Sequence, residues 1–113
     1  MIEAYSFGRM TIDGREYTKD LKIFSGRVKA KWWRKKGHFV DEQDLQDLIE
    51  AKPRVLVIGT GAHGLMKISP SLKRSLANEG IELIAQPSAD AVDTFNRLQG
   101  GEHGIAAAFH LTC

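Results

Sequence analysis

The stretch Val55-Leu-Val-Ile-Gly-Thr-Gly-Ala-His-Gly64 decides how this chain is read. Val55 to Ile58 are consecutive branched apolar side chains, the mark of a short strand buried on both faces. The expectation is a central strand over 54–58, with Gly59 to Gly64 as the turn that leaves it. That turn has the G-x-G-x-x-G spacing, in which glycines let a backbone approach a pyrophosphate. Its context departs from a dinucleotide fingerprint in three ways. The helix should open inside the motif, so that its N-terminus faces the phosphates; here the helix-start signal, Ser69-Pro70, comes after a further connector. The acid that would bind a ribose should close the next strand, but Glu82 opens that strand and Gln86 closes it. The intervening helix is also short for such a crossover. Two roles stay open for the loop. Its backbone N–H groups can cradle an anion, with Gly59, Thr60, Gly61 and Gly64 as the frame and His63 as an acid–base group. Alternatively, the glycines serve only a tight turn with close backbone approach.

Downstream, Ser69 is a hydroxyl N-cap with proline at the first helical position, and Leu72 and Leu76 share the buried face. Gly80 suits the left-handed end of that helix. Ile81–Ala85 reads as a strand. A helix capped by Ser88 buries Val92, Phe95 and Leu98 and ends at Gly100-Gly101, and Ile105–Phe109 is the last strand. The alanines of that strand argue for close approach to a helix. Upstream, Asp41 caps a helix carrying Leu45, Leu48 and Ile49 to about Lys52, before Pro53. Residues 65–68 read as a connector. Alternation of helix and strand in the second half predicts a mainly parallel sheet.

The first half reads differently. Met10-Thr-Ile12 and Arg15-Glu-Tyr17 flank Asp13-Gly14, the dipeptide of a type I′ hairpin turn. Leu21–Phe24 is a short strand ended by Ser25-Gly26. Arg27 to Trp33 alternates, with Val28, Ala30 and Trp32 on one face and cations on the other, which predicts a half-buried strand over 27–33.

Composition sets bounds. The 113 residues are 42% hydrophobic and 27% charged, as expected for one domain with a core of its own. Cys113 is the only cysteine, so no intramolecular disulfide forms, and the usage suits a reducing cytoplasm. No apolar run reaches the roughly 18–20 residues of a membrane span. The N-terminal residues lack the features of an export signal. No paired Cys/His spacing calls for a metal, and no cofactor is implied.

The net charge of +2 is unevenly spread. Lys22, Arg27, Lys29, Lys31, Arg34, Lys35 and Lys36 fall between positions 21 and 40 without one acid. Trp33, Arg34, Lys35 and Lys36 therefore form a candidate interaction surface, since Trp and Arg are favoured interface anchors. Basic residues among aromatics can also hold nucleic acid, but the patch is short and no nucleic-acid motif surrounds it. No nucleophilic triad is signalled, and the acids of residues 41–47 serve one helix. Arg34 and His38 are further ligand-binding candidates if they meet the glycine loop.

Several features occur together in one order: Ile12-Asp-Gly14 with Tyr17 and Asp20, Trp33-Arg34 leading to Gly37-His38, Ile58-Gly-Thr-Gly61, and Phe95-Asn96-Arg-Leu98 before a small-residue strand. This combination resembles a small α/β family first seen in a hypothetical protein of a methanogenic archaeon. The family also includes the adipogenesis-associated domain protein and the mitochondrial complex I assembly factor three. The resemblance implies a single domain with a three-layer β+α/β/α fold, a mixed central sheet and an N-terminal antiparallel hairpin, and no established enzymatic activity. The expected function is a non-enzymatic, cytoplasmic protein-interaction or assembly module, monomeric or homodimeric. The alternative is a small-molecule or anion-binding protein using the glycine loop.

Overall fold

The computed structural model describes residues 1–99 and 104–113. The chain opens with strands β1 (Ile2–Ser6), β2 (Arg9–Ile12) and β3 (Arg15–Tyr17), paired antiparallel as a small sheet. Asp13 and Gly14 both take positive φ, 48° and 82°, as a type I′ turn requires. Strands β4 (Leu21–Phe24) and β5 (Arg27–Lys29) form a second hairpin, again turned by two positive-φ residues, Ser25 and Gly26.

A two-residue strand β6 (Phe39–Val40) precedes a 3₁₀ turn (Glu42–Leu45) that runs into helix α1 (Gln46–Glu50). Asp41 caps the turn, and the Asp44 carboxylate reaches back to the Asp41 N–H. Then follow β7 (Val55–Thr60), β8 (Lys67–Ile68), α2 (Pro70–Asn78), β9 (Glu82–Gln86), α3 (Ser88–Gln99) and β10 (Ile105–His110). Ser69 caps α2 by accepting from the Leu72 N–H at 2.9 Å.

The main sheet has the order β5-β4-β10-β7-β9, with β10, β7 and β9 parallel, β4 antiparallel to β10, and β5 antiparallel to β4. On one face lie α3 and the N-terminal sheet, enclosing Met10, Ile12, Leu21, Val57, Phe95 and Phe109. On the other, α1 and α2 enclose Trp32, Leu45, Leu56, Ile58, Leu72 and Leu76. This is the expected three-layer β+α/β/α arrangement in a single compact unit. Asn96 of α3 ties the helix to β1 within the first of these layers by accepting from the Ile2 N–H and donating to the Ile2 carbonyl.

Several local expectations are corrected. The middle strand is β10, not β7. Its alanines are small because both faces are covered, Ala107 facing the α3 core and Ala106 and Ala108 the other. Strand β7 runs on through Gly59 and Thr60, so the first glycine of the motif belongs to the strand rather than to the turn. A Cβ at Gly59 would stand 2.6 Å from the Phe109 ring and 2.8 Å from Ser88 Oγ, which explains why the position is empty. The predicted strand over 27–33 stops at Lys29. Lys31 turns into the left-handed region at φ 59°, and the Trp32 N–H donates to the Asp20 carbonyl instead of to a ladder. Residues 67–68 of the expected connector pair in parallel with β6. The Gly100-Gly101 stop of α3 lies outside the described residues.

Candidate functional site

The carboxyl ends of β7 and β10 lie side by side, with His110 opposite Thr60. Three charged or titratable groups meet there. Asp20 Oδ2 lies 2.7 Å from Arg34 Nη2 and 2.8 Å from His110 Nδ1, while Asp20 Oδ1 accepts from the Leu111 N–H at 2.8 Å. Arg34 also donates from Nε and Nη2 to the Gly37 carbonyl, closing the 34–37 turn on itself. The side chains of Arg34 and His110 are only 5% and 6% exposed. Burial alone would raise the Asp20 pKa, but the His110, Leu111 and Arg34 contacts outweigh it and hold the carboxyl below its ordinary 3.8.

Two atoms of this cluster, Arg34 Nη1 and His110 Nε2, are buried without a hydrogen-bond partner among the described residues. Aromatic rings lie against both side chains: the Arg34 guanidinium sits 4.6 Å from the Trp32 ring centre, and the His38 ring meets His110 edge-on at 5.5 Å. A cation over an aromatic face is attracted by the ring quadrupole, so Arg34 is held by stacking as well as by charge. Trp32 in turn is pinned by its Nε1–H, which donates to the Asp44 carbonyl at 3.0 Å.

The consequence falls on the residue between them. Trp33 is 78% exposed, while Trp32 on one side is 6% exposed and Arg34 on the other is locked to Asp20. It stands at the mouth of a cleft of about 270 Å³ edged by Lys19, Lys31 and Thr112, with Asp20 and Arg34 in its wall. Lys35 and Lys36 are exposed beyond it, Lys36 lying over the Phe39 ring.

The glycine loop sits on the other side of His110. Ser88 Oγ donates to the His110 carbonyl at 2.6 Å and accepts from the Gly61 N–H at 2.9 Å, so this serine joins loop, helix and last strand. That bonding corrects its expected role as a helix cap: Ser88 is the first residue of α3, and its hydroxyl serves other elements. Gly61, at φ 103°, lies against the Cys113 backbone so closely that a Cβ would overlap it. Of the N–H groups that an anion cradle would offer, those of Gly61, Ala62, Gly64 and Leu65 have partners within the chain. Ala62 donates to the Thr112 carbonyl at 2.6 Å, Leu65 to that of Cys113 at 3.3 Å, and Gly64 to that of Gly61 at 3.1 Å. Gly64 packs near Pro87, Thr60 is buried, and His63 is exposed.

Arg34, His38 and the start of the loop thus converge around His110, whereas His63 faces solvent. Asp20 and His110 were not singled out as site residues from the sequence. The signal for His110 was its place directly after the apolar run 105–109, where a polar side chain is buried with the strand. The signal for Asp20 was its position as the last acid before the basic stretch.

Among the described residues, no helix is long and apolar enough to cross a membrane. The chain is similar in structure to a conserved hypothetical protein of Pyrococcus horikoshii OT3, at 29% identity and TM-score 0.86 over 100% of this chain and 99% of that one. It is similar to the protein MT938 at 27% identity and TM-score 0.82, covering 100% and 98%. A Bordetella pertussis protein described as an Mth938-like domain shares the fold, at 22% identity and TM-score 0.76 over 98% and 85%. Residues 2–110 match the family model described as protein of unknown function (DUF498/DUF598), and the chain belongs to that family.

Proposed function

We propose that this chain is a non-enzymatic protein-interaction module, of the kind used in assembly, with Trp33 as its anchor. The observation that carries this reading is the display of Trp33: a large apolar side chain 78% exposed, between two residues that are themselves buried and pinned. A tryptophan contributes most to an interface when it is held ready, because little freedom is then lost on binding. The buried Asp20–Arg34–His110 cluster acts as the clamp that holds the 32–37 segment in place. The assembly-factor resemblance of the sequence motifs points the same way.

The test is affinity capture from native extract with the wild-type chain and with Trp33→Ala. A stoichiometric protein partner recovered by the wild type and lost with the variant, at unchanged thermal stability, is the expected result. Recovery of no partner by the wild type sinks the reading.

The small-ligand alternative moves from the glycine loop to the Arg34 side of His110. It is favoured by one observation, the unpartnered Nη1 and Nε2 atoms of the cluster. A thermal-shift screen with small carboxylates and phosphates tests it: a ligand at 100 times its dissociation constant adds about 2.7 kcal/mol, and a flat screen at millimolar concentration rejects it.

A further inference from the structure

Four separate loops gather at the carboxyl end of the middle strand. Gly8, in the β1–β2 turn, donates its N–H to the Leu111 carbonyl at 2.7 Å. Asp20, just before β4, takes the Leu111 N–H on its carboxylate and the Trp32 N–H on its carbonyl, which draws the 30–38 loop to the same end. Ala62 and Leu65 donate to the carbonyls of Thr112 and Cys113, which brings the glycine loop there too. Three of these loops each display a large apolar side chain: Phe7, Trp33 and Leu65 are 60%, 78% and 51% exposed. Among the described residues only one other large apolar side chain is exposed, Met1, and it lies beyond the far end of β2, its amino group on Asp13. The charge at this end has one sign. Residues 6–8, 18–20, 30–38, 61–67 and 111–113 carry Lys19, Lys31, Arg34, Lys35, Lys36 and Lys67 but a single acid, Asp20. Arg34 and Asp20 are paired with each other, whereas the five lysines are exposed and, among the described residues, have no ion-pair partner. The nearby Asp44 stands beside Lys35, with its carboxylate on the Lys35 and Asp41 N–H groups.

We infer that this end of the molecule docks on an anionic membrane surface, with Phe7, Trp33 and Leu65 entering the headgroup region and the lysines lying over the anionic headgroups. Interfacial binding is set by buried apolar area together with attraction between cations and acidic lipid, and this end supplies both. Tryptophan is the side chain most at home at headgroup depth, with an apolar ring and a polar N–H. A bilayer surface needs no shaped cavity to receive side chains from three separate loops, and it carries one sign of charge over its whole extent, as this end does. A single nucleic-acid strand fits less well, because it is held by aromatic faces and Leu65 offers none. A second copy applied through the same end would set lysines against lysines. The inference goes beyond the interaction reading and adds Phe7 and Leu65 to it; Trp33 is common to both, so lipid and protein partner are alternate occupants of this end.

The test is flotation with vesicles of phosphatidylcholine alone and of phosphatidylcholine and phosphatidylglycerol in equal parts. The chain is expected to float with the anionic vesicles and not with the neutral ones, and to be released as salt rises. Phe7→Ser and Leu65→Ser are each expected to weaken flotation at unchanged melting temperature. Lys35→Glu combined with Lys36→Glu is expected to weaken it at least about twentyfold, since one lysine near such a surface contributes about fivefold. Lys52→Glu, an exposed lysine beside the start of β7 at the opposite end, is expected to change nothing. In the Trp32→Phe variant the emission of Trp33 is expected to shift to the blue on adding anionic vesicles. No flotation with anionic vesicles overturns the inference, and so does flotation that Phe7→Ser and Leu65→Ser leave untouched. Tighter binding to a labelled oligothymidylate overturns the lipid assignment in favour of nucleic acid. If flotation fails while capture from extract still depends on Trp33, the membrane inference falls and the interaction reading stands; flotation without capture reverses that outcome.

Discussion

Asp20 and Arg34 form a buried ion pair: Oδ2 and Nη2 are 2.7 Å apart, with the Arg34 side chain 5% exposed. The pair ties the entry of β4 to the loop that leaves β5, and through His110 it ties both to the end of the middle strand. The cluster thus governs where Trp33 is displayed.

Removing one partner of this pair leaves the other charged and buried. Arg34→Met is expected to destabilise the fold by about 3–5 kcal/mol. The double variant with Asp20→Asn should recover part of that loss. Denaturant melts of the two single variants and the double variant measure the coupling; additive losses would show that the pair is not coupled.

The two neighbouring tryptophans should behave oppositely. Trp32→Ala empties a buried, hydrogen-bonded site and should cost about 3–5 kcal/mol. Trp33→Ala should change stability by no more than about 0.5 kcal/mol. Thermal melts read both, and acrylamide should quench the Trp32→Phe variant, in which Trp33 remains, far more than the Trp33→Phe variant.

Acid should unfold the protein partly through Asp47. Burial alone would raise its pKa, but Lys29 and Lys22, at 2.7 and 2.9 Å, pull it from 3.8 to about 2. A carboxyl depressed in the folded state stabilises it above the unfolded pKa, and that contribution is lost as pH falls through the folded value. The loss should therefore run from about pH 4 to about pH 2. Asp20, also lowered from 3.8, adds to the same limb. Asp47→Asn should flatten the stability profile in this window; an unchanged slope would exclude Asp47 as a contributor.

The glycines should differ sharply. Gly14, with open space around its missing side chain, should tolerate alanine at a cost of about 1 kcal/mol from its positive φ. Gly61→Ala meets the Cys113 backbone as well as a positive φ, and should cost about 2–4 kcal/mol while loosening residues 112–113. Hydrogen exchange at the Ala62 and Leu65 amides, which donate to that segment, reports the loosening. Retained protection there would count against it.

Ser88→Ala should cost about 1–3 kcal/mol, because it leaves the buried Gly61 N–H without its acceptor and deprives the His110 carbonyl of a donor. Ser88→Thr keeps the hydroxyl and separates loss of bonding from loss of packing. Equal stability of Ser88→Ala and wild type in a denaturant melt would show that the serine's bonds contribute nothing net.

Local chemistry was enough to set most of the elements. The Asp13-Gly14 and Ser25-Gly26 turns, the Ser69-Pro70 helix start and the Asp41 cap act within a few residues, so their signals survive in the sequence. The apolar run from Val55 and the alternation of helix and strand after it were sufficient for the parallel half of the sheet. The alternation over 27–33 misled because a period of two describes side-chain pattern, not pairing, and the Asp20 carbonyl drew the Trp32 N–H away from the ladder.

The Gly59–Gly64 loop shows where sequence by itself stops. Its spacing determined a glycine-rich turn after a buried strand, because conformational freedom is a property of single residues. What that turn does was decided in three dimensions, where Phe109, Ser88 and residues 112–113 occupy the space and the donors around it. The meeting of Asp20, Arg34 and His110 was likewise left to the tertiary structure. Contacts between residues far apart in the chain carry no local signature; only the folded sheet brings these three side chains within hydrogen-bonding distance.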